Sequence, residues 1–270
     1  MVPKPDSLSA PRTRAAWLCL VALAACNFIM VSWLQFLARS HPAFSKWLGT
    51  VAGTTFTVVA QGLVFLFFPI LFSKAEALAD FLNLAGLRRR VTLVGWYGAW
   101  VAVCIALIDS YGASKGWTAS STQSYSPAHD TPGATQAFFV LKSVMVVPFY
   151  EEVALRGFLY SAFRRGYGTP LSTLIVVCMS AYLHWRSISQ SVFTSACLLS
   201  LWVLLCVIRE RTVSLWNCLV SHAAYNAFSM HLSAATTICL LITLAFVARN
   251  PPLRSRKECR DQEDTNPRDS

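Results

Sequence analysis

Charge is what this sequence has least of. Only 13% of its 270 residues are Asp, Glu, Lys or Arg, about half the share of an ordinary soluble domain, while 55% are hydrophobic. A soluble globule cannot hide that much apolar surface. The strict apolar and polar alternation of a lipid-facing strand is also missing, which excludes a membrane barrel. No CxxC pair occurs, and Cys19, Cys26, Cys104, Cys178, Cys197, Cys206, Cys218 and Cys239 all fall inside apolar runs, where they read as small packing residues. Cys259 stands too far from the last residue for a prenylation motif. No HExxH helix and no four-ligand zinc spacing are found. No internal repeat is visible either, so the inverted halves of many transporters have no counterpart.

What is present instead is a series of long apolar runs between short basic loops, as a hydrocarbon layer roughly 30 Å thick requires of helices. The runs lie near 15–38, 48–73, 91–108, 137–163, 171–185, 191–208, 213–230 and 232–248. They predict an all-α, polytopic transmembrane bundle of about eight helices. The first run is too long for a signal peptide and lacks a small-residue cleavage site, so it reads as a retained span. The net charge of +10 is accounted for by basic residues at span ends rather than by a nucleic-acid partner. On alternate sides, one set of segments holds Lys4, Arg12, Arg14, Lys74, Arg88, Arg89, Arg90, Arg164, Arg165, Arg209, Arg211 and a basic tail. The other set holds only Arg39, Lys46, Lys115 and Arg186. The positive-inside tendency then puts both termini in the cytoplasm. Without a transit peptide, the expected location is the cell (inner) membrane.

Composition divides the chain into three parts. Residues 1–136 hold the N-terminal spans, an amphipathic cytoplasmic segment at 75–90 ending in three arginines, and a Ser-, Thr-, Gly- and Pro-rich extracytoplasmic loop at 110–135. The amphipathic segment reads equally as a surface helix beside anionic lipid or as an extension of the preceding span. Residues 137–248 hold the later spans, and 249–270 form a polar tail expected to be disordered.

Charges at membrane depth are functional candidates because each costs at least about 2.5 kcal/mol. Apart from Lys142, those within the expected spans gather in Pro148-Phe-Tyr-Glu151-Glu152-Val-Ala-Leu-Arg156-Gly157. Glu152 and Arg156 are one helical turn apart and are expected to pair. Glu151 is rotated about 100° away and must find another partner, water or a histidine. Pro148 removes a backbone donor just before the pair and bends the helix. His184 ends the fifth run, and His222-Ala-Ala-Tyr-Asn226 aligns an imidazole with a carboxamide on one face. A carboxylate beside an imidazole can move protons, and Asn supplies an N–H donor for an oxyanion. The set suits amide hydrolysis: Glu151 with His184 activates water, while His222 and Asn226 bind the developing charge. His41, His129 and His231 read as loop or interfacial residues.

The order Pro148-x-x-Glu151-Glu152-x-x-x-Arg156-Gly157, then His184, then His222-x-x-x-Asn226, resembles the CPBP family of intramembrane proteases, which includes the CaaX prenyl endopeptidases and bacterial proteins linked with bacteriocin processing or immunity. Thr212-Val-Ser-Leu-Trp216 looks like the family's lead into its last motif helix. The resemblance implies a polar active-site chamber enclosed by the helices. Glu151 and His184 would polarise water there, His222 and Asn226 would form the oxyanion hole, and Glu152 and Arg156 would support the site. One departure is Ser180, where the family usually has Phe four residues before the histidine. The implied partners are the lipid bilayer and a membrane-associated peptide: a prenylated C-terminus, a leader peptide or a sorting tail. Metal-free chemistry is the expectation, with zinc as the alternative. A non-catalytic immunity or scaffold protein of the same fold, and a proton-coupled transporter using Glu151, Glu152 and His184 as a relay, are the rival readings.

Overall fold

The computed structural model describes residues 13–48, 50–73, 86–87, 91–117, 138–189 and 191–229. The expected eighth run at 232–248, the tail at 249–270, most of the 75–90 segment and of the 110–135 loop, and both boundaries of the central part lie outside the described residues. Among the described residues the structure is all-helical. In chain order it contains α1 (Thr13–Ser40), α2 (Pro42–Leu48), α3 (Val51–Ser73) and α4 (Leu93–Ser114). A π-helical segment, Lys142–Val146, then leads into α5 (Val147–Glu152), a second π-helical segment, Val153–Tyr160, and α6 (Ser161–Leu183). The series ends with α7 (Trp185–Ile188), α8 (Val192–Thr212) and α9 (Leu215–Ser229).

By length and composition, α1, α3, α4 and α8 are each able to cross a membrane. The chain is thus a polytopic membrane protein. The helices from 138 to 183 do not meet the same measure. Their path is continuous except at Gly168, whose φ of 77° and ψ of 176° break α6 two residues before Pro170. That kink falls between the two apolar runs expected at 137–163 and 171–185. A non-glycine residue would be strained there.

The most extensive helix pairing joins α4 to α9. Helix α4 buries a small-residue stripe of Gly95, Gly98, Ala99, Ala102 and Ala106, and α9 is buried over most of its length. Small residues let two helices approach closely where lipid supplies no hydrophobic drive. The Asn217 carboxamide fills the space that a side chain at Gly95 would take, and Ile208 and Ser221 close over Gly98. Asn217 Oδ1 accepts the Thr92 N–H at 2.9 Å, and its Nδ2 donates to Thr92 Oγ1 at 3.2 Å, so α9 caps the start of α4.

The turn that aims α9 is held from several sides. Val213 sits in the left-handed region with φ 55°, and the Arg209 guanidinium donates to its carbonyl and, at 3.2 Å, to Ser161 Oγ. Leu215 N–H donates to the Gly86 carbonyl at 3.2 Å, and Trp216 Nε1 donates to the Leu87 carbonyl at 2.7 Å. Gly86, with φ 80°, lies against Arg209 where any side chain would collide.

Interior charge is less confined than the sequence suggests. Asp109 is only 4% exposed and accepts from Thr194 Oγ1 and from Tyr225 OH, both at 3.2 Å, tying α4 to α8 and α9. Arg209, expected at a membrane surface, is also buried. Each sits near the end of an apolar run, where sequence alone cannot separate a solvated end from a tertiary contact.

Replacing a helical glycine by alanine ordinarily favours the helix by about 1 kcal/mol. Here Gly95→Ala is expected to destabilise the protein by about 1–3 kcal/mol, because the new methyl displaces Asn217 and its cap. Thermal unfolding of the detergent-purified protein measures the sign.

Candidate active site

The site begins with a backbone defect. Val147 N–H bonds to the Lys142 carbonyl, five residues back, so the chain enters α5 in π register. The next residue in that register is Pro148, which has no N–H to offer the Ser143 carbonyl. A buried carbonyl needs a donor. Asn226 supplies it: its Nδ2 donates to Ser143 O at 2.8 Å across 83 positions of sequence. One of the two amide hydrogens of Asn226 is therefore committed to positioning, and the second remains for another acceptor.

Glu151 and Glu152 follow on α5 and are 7% and 0% exposed. The rotation between consecutive helical residues sends them to different partners. Glu152 Oε1 receives Arg156 Nη1 at 3.1 Å and His222 Nδ1 at 2.9 Å. Arg156, itself 1% exposed, reaches onward to the Trp202 carbonyl at 3.5 Å. The π register after Glu152 also leaves the Arg156 carbonyl to accept from Ser161 Oγ at 3.3 Å. Glu152, Arg156 and His222 thus form one buried triad joining α5, the second π-helical segment and α9. Because its Nδ1 donates to the carboxylate, a neutral His222 carries its lone pair on Nε2.

Glu151 turns to the other histidine. Its Oε1 lies 3.9 Å from His184 Nε2. His184 Nδ1 donates to the Ser180 carbonyl at 3.0 Å, which leaves Nε2 as the acceptor of the neutral ring. Ser180 is fully buried, and its hydroxyl donates back to the Val176 carbonyl at 2.9 Å, so its role toward the histidine is carried by the main chain. The indole of Trp202 packs on the His184 ring with centroids 5.2 Å apart. Tyr150, beside Glu151, donates from its hydroxyl to Gln61 Oε1 at 3.2 Å and packs on Phe65 at 5.2 Å, which braces α5 against α3.

All six residues singled out in the sequence therefore have a defined place. Glu151 faces His184, Glu152 holds Arg156 and His222, and Asn226 is anchored to Ser143 on the same helix as His222. The residues that sequence reasoning passed over are Trp202, Gln61, Ser143 and Asp109. Gln61 carried a signal, as a carboxamide in an otherwise apolar run. Trp202 and the Ser143 carbonyl carried none, since a tryptophan in a span and a main-chain oxygen look like any other.

A cavity of about 330 Å³ is walled by Leu141, Val144, Met145, Phe149, Trp216 and Leu219 among others. Its walls belong to the helices that carry Glu151 and His222. Among the described residues, no group of three or more His, Cys, Asp or Glu side chains is gathered as a metal site.

Comparison with known families agrees with the resemblance read from the motifs. Residues 133–228, about a third of the chain, match the family model described as type II CAAX prenyl endopeptidase, Rce1-like. The matched segment contains Glu151, Glu152, Arg156, His184, His222 and Asn226. No curated protein and no solved structure gives a significant match.

Removing one member of a buried ion pair strands the other, at a cost of about 3–5 kcal/mol. Arg156→Met is expected to lower stability by that order. Adding Glu152→Gln in the same chain should recover part of the loss, as read by thermal unfolding in detergent.

Proposed function

With residues 133–228 matching the Rce1-like type II CAAX prenyl endopeptidase family, we propose that this membrane protein is an intramembrane endopeptidase that hydrolyses a peptide bond of a membrane-associated substrate, with Glu151 as general base. The observation that carries this reading is the 3.9 Å gap between Glu151 Oε1 and His184 Nε2, two acceptors facing each other. One water with hydrogen bonds of about 2.8 Å to each fits that gap. Such a water donates a hydrogen to both groups and keeps its lone pairs for attack.

The reaction then follows from these atoms. The water oxygen attacks the scissile carbonyl carbon while Glu151 takes its proton. The oxyanion is received by the second N–H of Asn226 and by Nε2–H of His222. For this His222 carries a proton on both ring nitrogens, the second taken up from solvent before the substrate binds and kept throughout, with Nδ1–H given to Glu152 and Nε2–H to the oxyanion. Collapse of the tetrahedral intermediate breaks the C–N bond, and the amine leaves with the proton returned by Glu151. Glu152 and Arg156 remain bound to each other throughout and keep His222 aimed. No step calls for a metal, and a carboxylate with an imidazole is a sufficient base pair.

The apolar cavity, walled by residues of α5 and α9 and of the π-helical segment before α5, suits a lipid-modified residue or an apolar side chain of the substrate. A prenylated C-terminus, a leader peptide and a sorting tail all meet that description. The basic residues at span ends favour both termini on the cytoplasmic side, and the membrane in this reading is the cell (inner) membrane.

Glu151→Gln is expected to lower cleavage of a farnesylated CaaX peptide by about 10²–10⁴-fold, the usual contribution of general-base catalysis, while the protein still inserts and folds. A zinc chelator should leave the wild-type rate unchanged. Full activity in Glu151→Gln would overturn the mechanism, and a chelator-induced loss restored only by zinc would replace it with a metal-dependent one. Proton flux in liposomes without proteolysis would favour the transporter.

A further inference from the structure

Of the two groups facing the attacking water, His184 is the one with less of its own helix behind it. It occupies the C-cap of α6, with φ −104° and ψ 22°, in the bend where α6 gives way to the four-residue α7. Its side chain is 28% exposed, against 10% for Glu151. The hydrogen bond from Nδ1 to the Ser180 carbonyl fixes one corner of the ring. With Cγ held covalently and Nδ1 by that bond, the ring can still rock through small changes in χ1 and χ2, and Nε2 moves most. The reacting corner therefore needs a second constraint, and the indole of Trp202 supplies it, tilted at 47° to the imidazole with centroids 5.2 Å apart.

Trp202 is well suited to hold another side chain. It is 1% exposed, heads the largest fully buried side chains among the described residues and sits within the regular helix α8 rather than in a loop. Its main-chain carbonyl accepts from Arg156 Nη2 at 3.5 Å. One residue thus touches His184 of the water-activating pair through its ring and the Glu152–Arg156–His222 triad through its backbone.

We propose that Trp202 is a positioning residue. Its indole fixes His184 Nε2 opposite Glu151, and its backbone keeps that pair in register with the triad that aims His222. The proposal rests on the reading of Glu151 and His184 as the water-activating pair. A tryptophan that merely fills the core would affect folding but not the orientation or tautomer of one histidine, and the experiment separates the two.

Full-length protein in detergent micelles is compared as wild type, Trp202→Leu, Trp202→Phe, His184→Ala and the Trp202→Leu/His184→Ala double variant, with a farnesylated CaaX peptide as the probe. Trp202→Leu is expected to lower kcat by about 10–100-fold with KM changed less than about threefold, the range seen when the support of an active-site group is removed. Trp202→Phe, which keeps an aromatic face, should retain activity within about fivefold. In the His184→Ala background the Trp202→Leu change should have little further effect, because both remove the same function. The ¹⁵N shifts of the His184 ring should report one Nδ1–H tautomer in the wild type and a mixture in Trp202→Leu. Multiplicative losses in the double variant, or an unchanged His184 spectrum, would overturn the proposal. Should Trp202→Leu not fold, Trp202→Met keeps the bulk without the ring and takes its place. If the wild type leaves the probe intact, the protease reading for that substrate fails, while the tautomer measurement still decides the role of Trp202.

Discussion

A single carboxylate oxygen organises the centre of this molecule. Glu152 is fully buried, and its Oε1 accepts from both Arg156 and His222. The cost of taking a carboxylate and a guanidinium out of water is several kcal/mol per ion, and their attraction offsets it only when geometry and hydrogen bonding are good. That requirement fixes α5 against α9 through His222 and against α8 through the Trp202 carbonyl. Three helices are thereby held at one level, and the imidazole of His222 is held in one orientation. Glu151, one residue earlier and about 100° around the helix, is left with another face and the other histidine.

Irregular backbone is used around this centre as a source of polar anchors. The π register before α5 and the missing donor of Pro148 leave a carbonyl at Ser143, and Asn226 is drawn to it. The second π-helical segment leaves the Arg156 carbonyl to the Ser161 hydroxyl. In a medium where unsatisfied backbone groups are costly, such defects persist only where the protein itself supplies partners. The small-residue stripe on α4 has the same purpose at a larger scale, bringing α9 close enough for Asn217 to cap it. Asp109 adds a third polar tie between α4, α8 and α9, set apart from the proposed chemistry.

The polar triad and the apolar cavity both draw on α5 and α9, a combination that a membrane hydrolase has to reconcile. Water must be held and charge stabilised beside a space that suits an apolar chain. Here the charges face α8 and α9 and are enclosed, while the cavity is lined by Leu141, Phe149, Leu219 and their neighbours. The proposed water lies at the boundary, between a nearly buried glutamate and a partly exposed histidine.

The sequence by itself determined what depends on local spacing. Scarce charge and long apolar runs made the protein helical and membrane-spanning, Gly168 with Pro170 divided two helices, and the four-residue interval from Glu152 to Arg156 paired them on one face. The motif order also singled out the six candidate residues. Only the tertiary structure decided which helix each side chain meets. It gave Glu152 to His222, Glu151 to His184, Asn226 to Ser143 and Trp202 to His184, and it buried Asp109 and Arg209 where the sequence suggested surface. The physical reason is that periodicity along one helix specifies a face but not the neighbour opposite it. Those neighbours are set by close packing at Gly95 and Gly98, by carbonyls that a proline or a π turn leaves open, and by the need of a buried carboxylate for donors that lie far away along the chain.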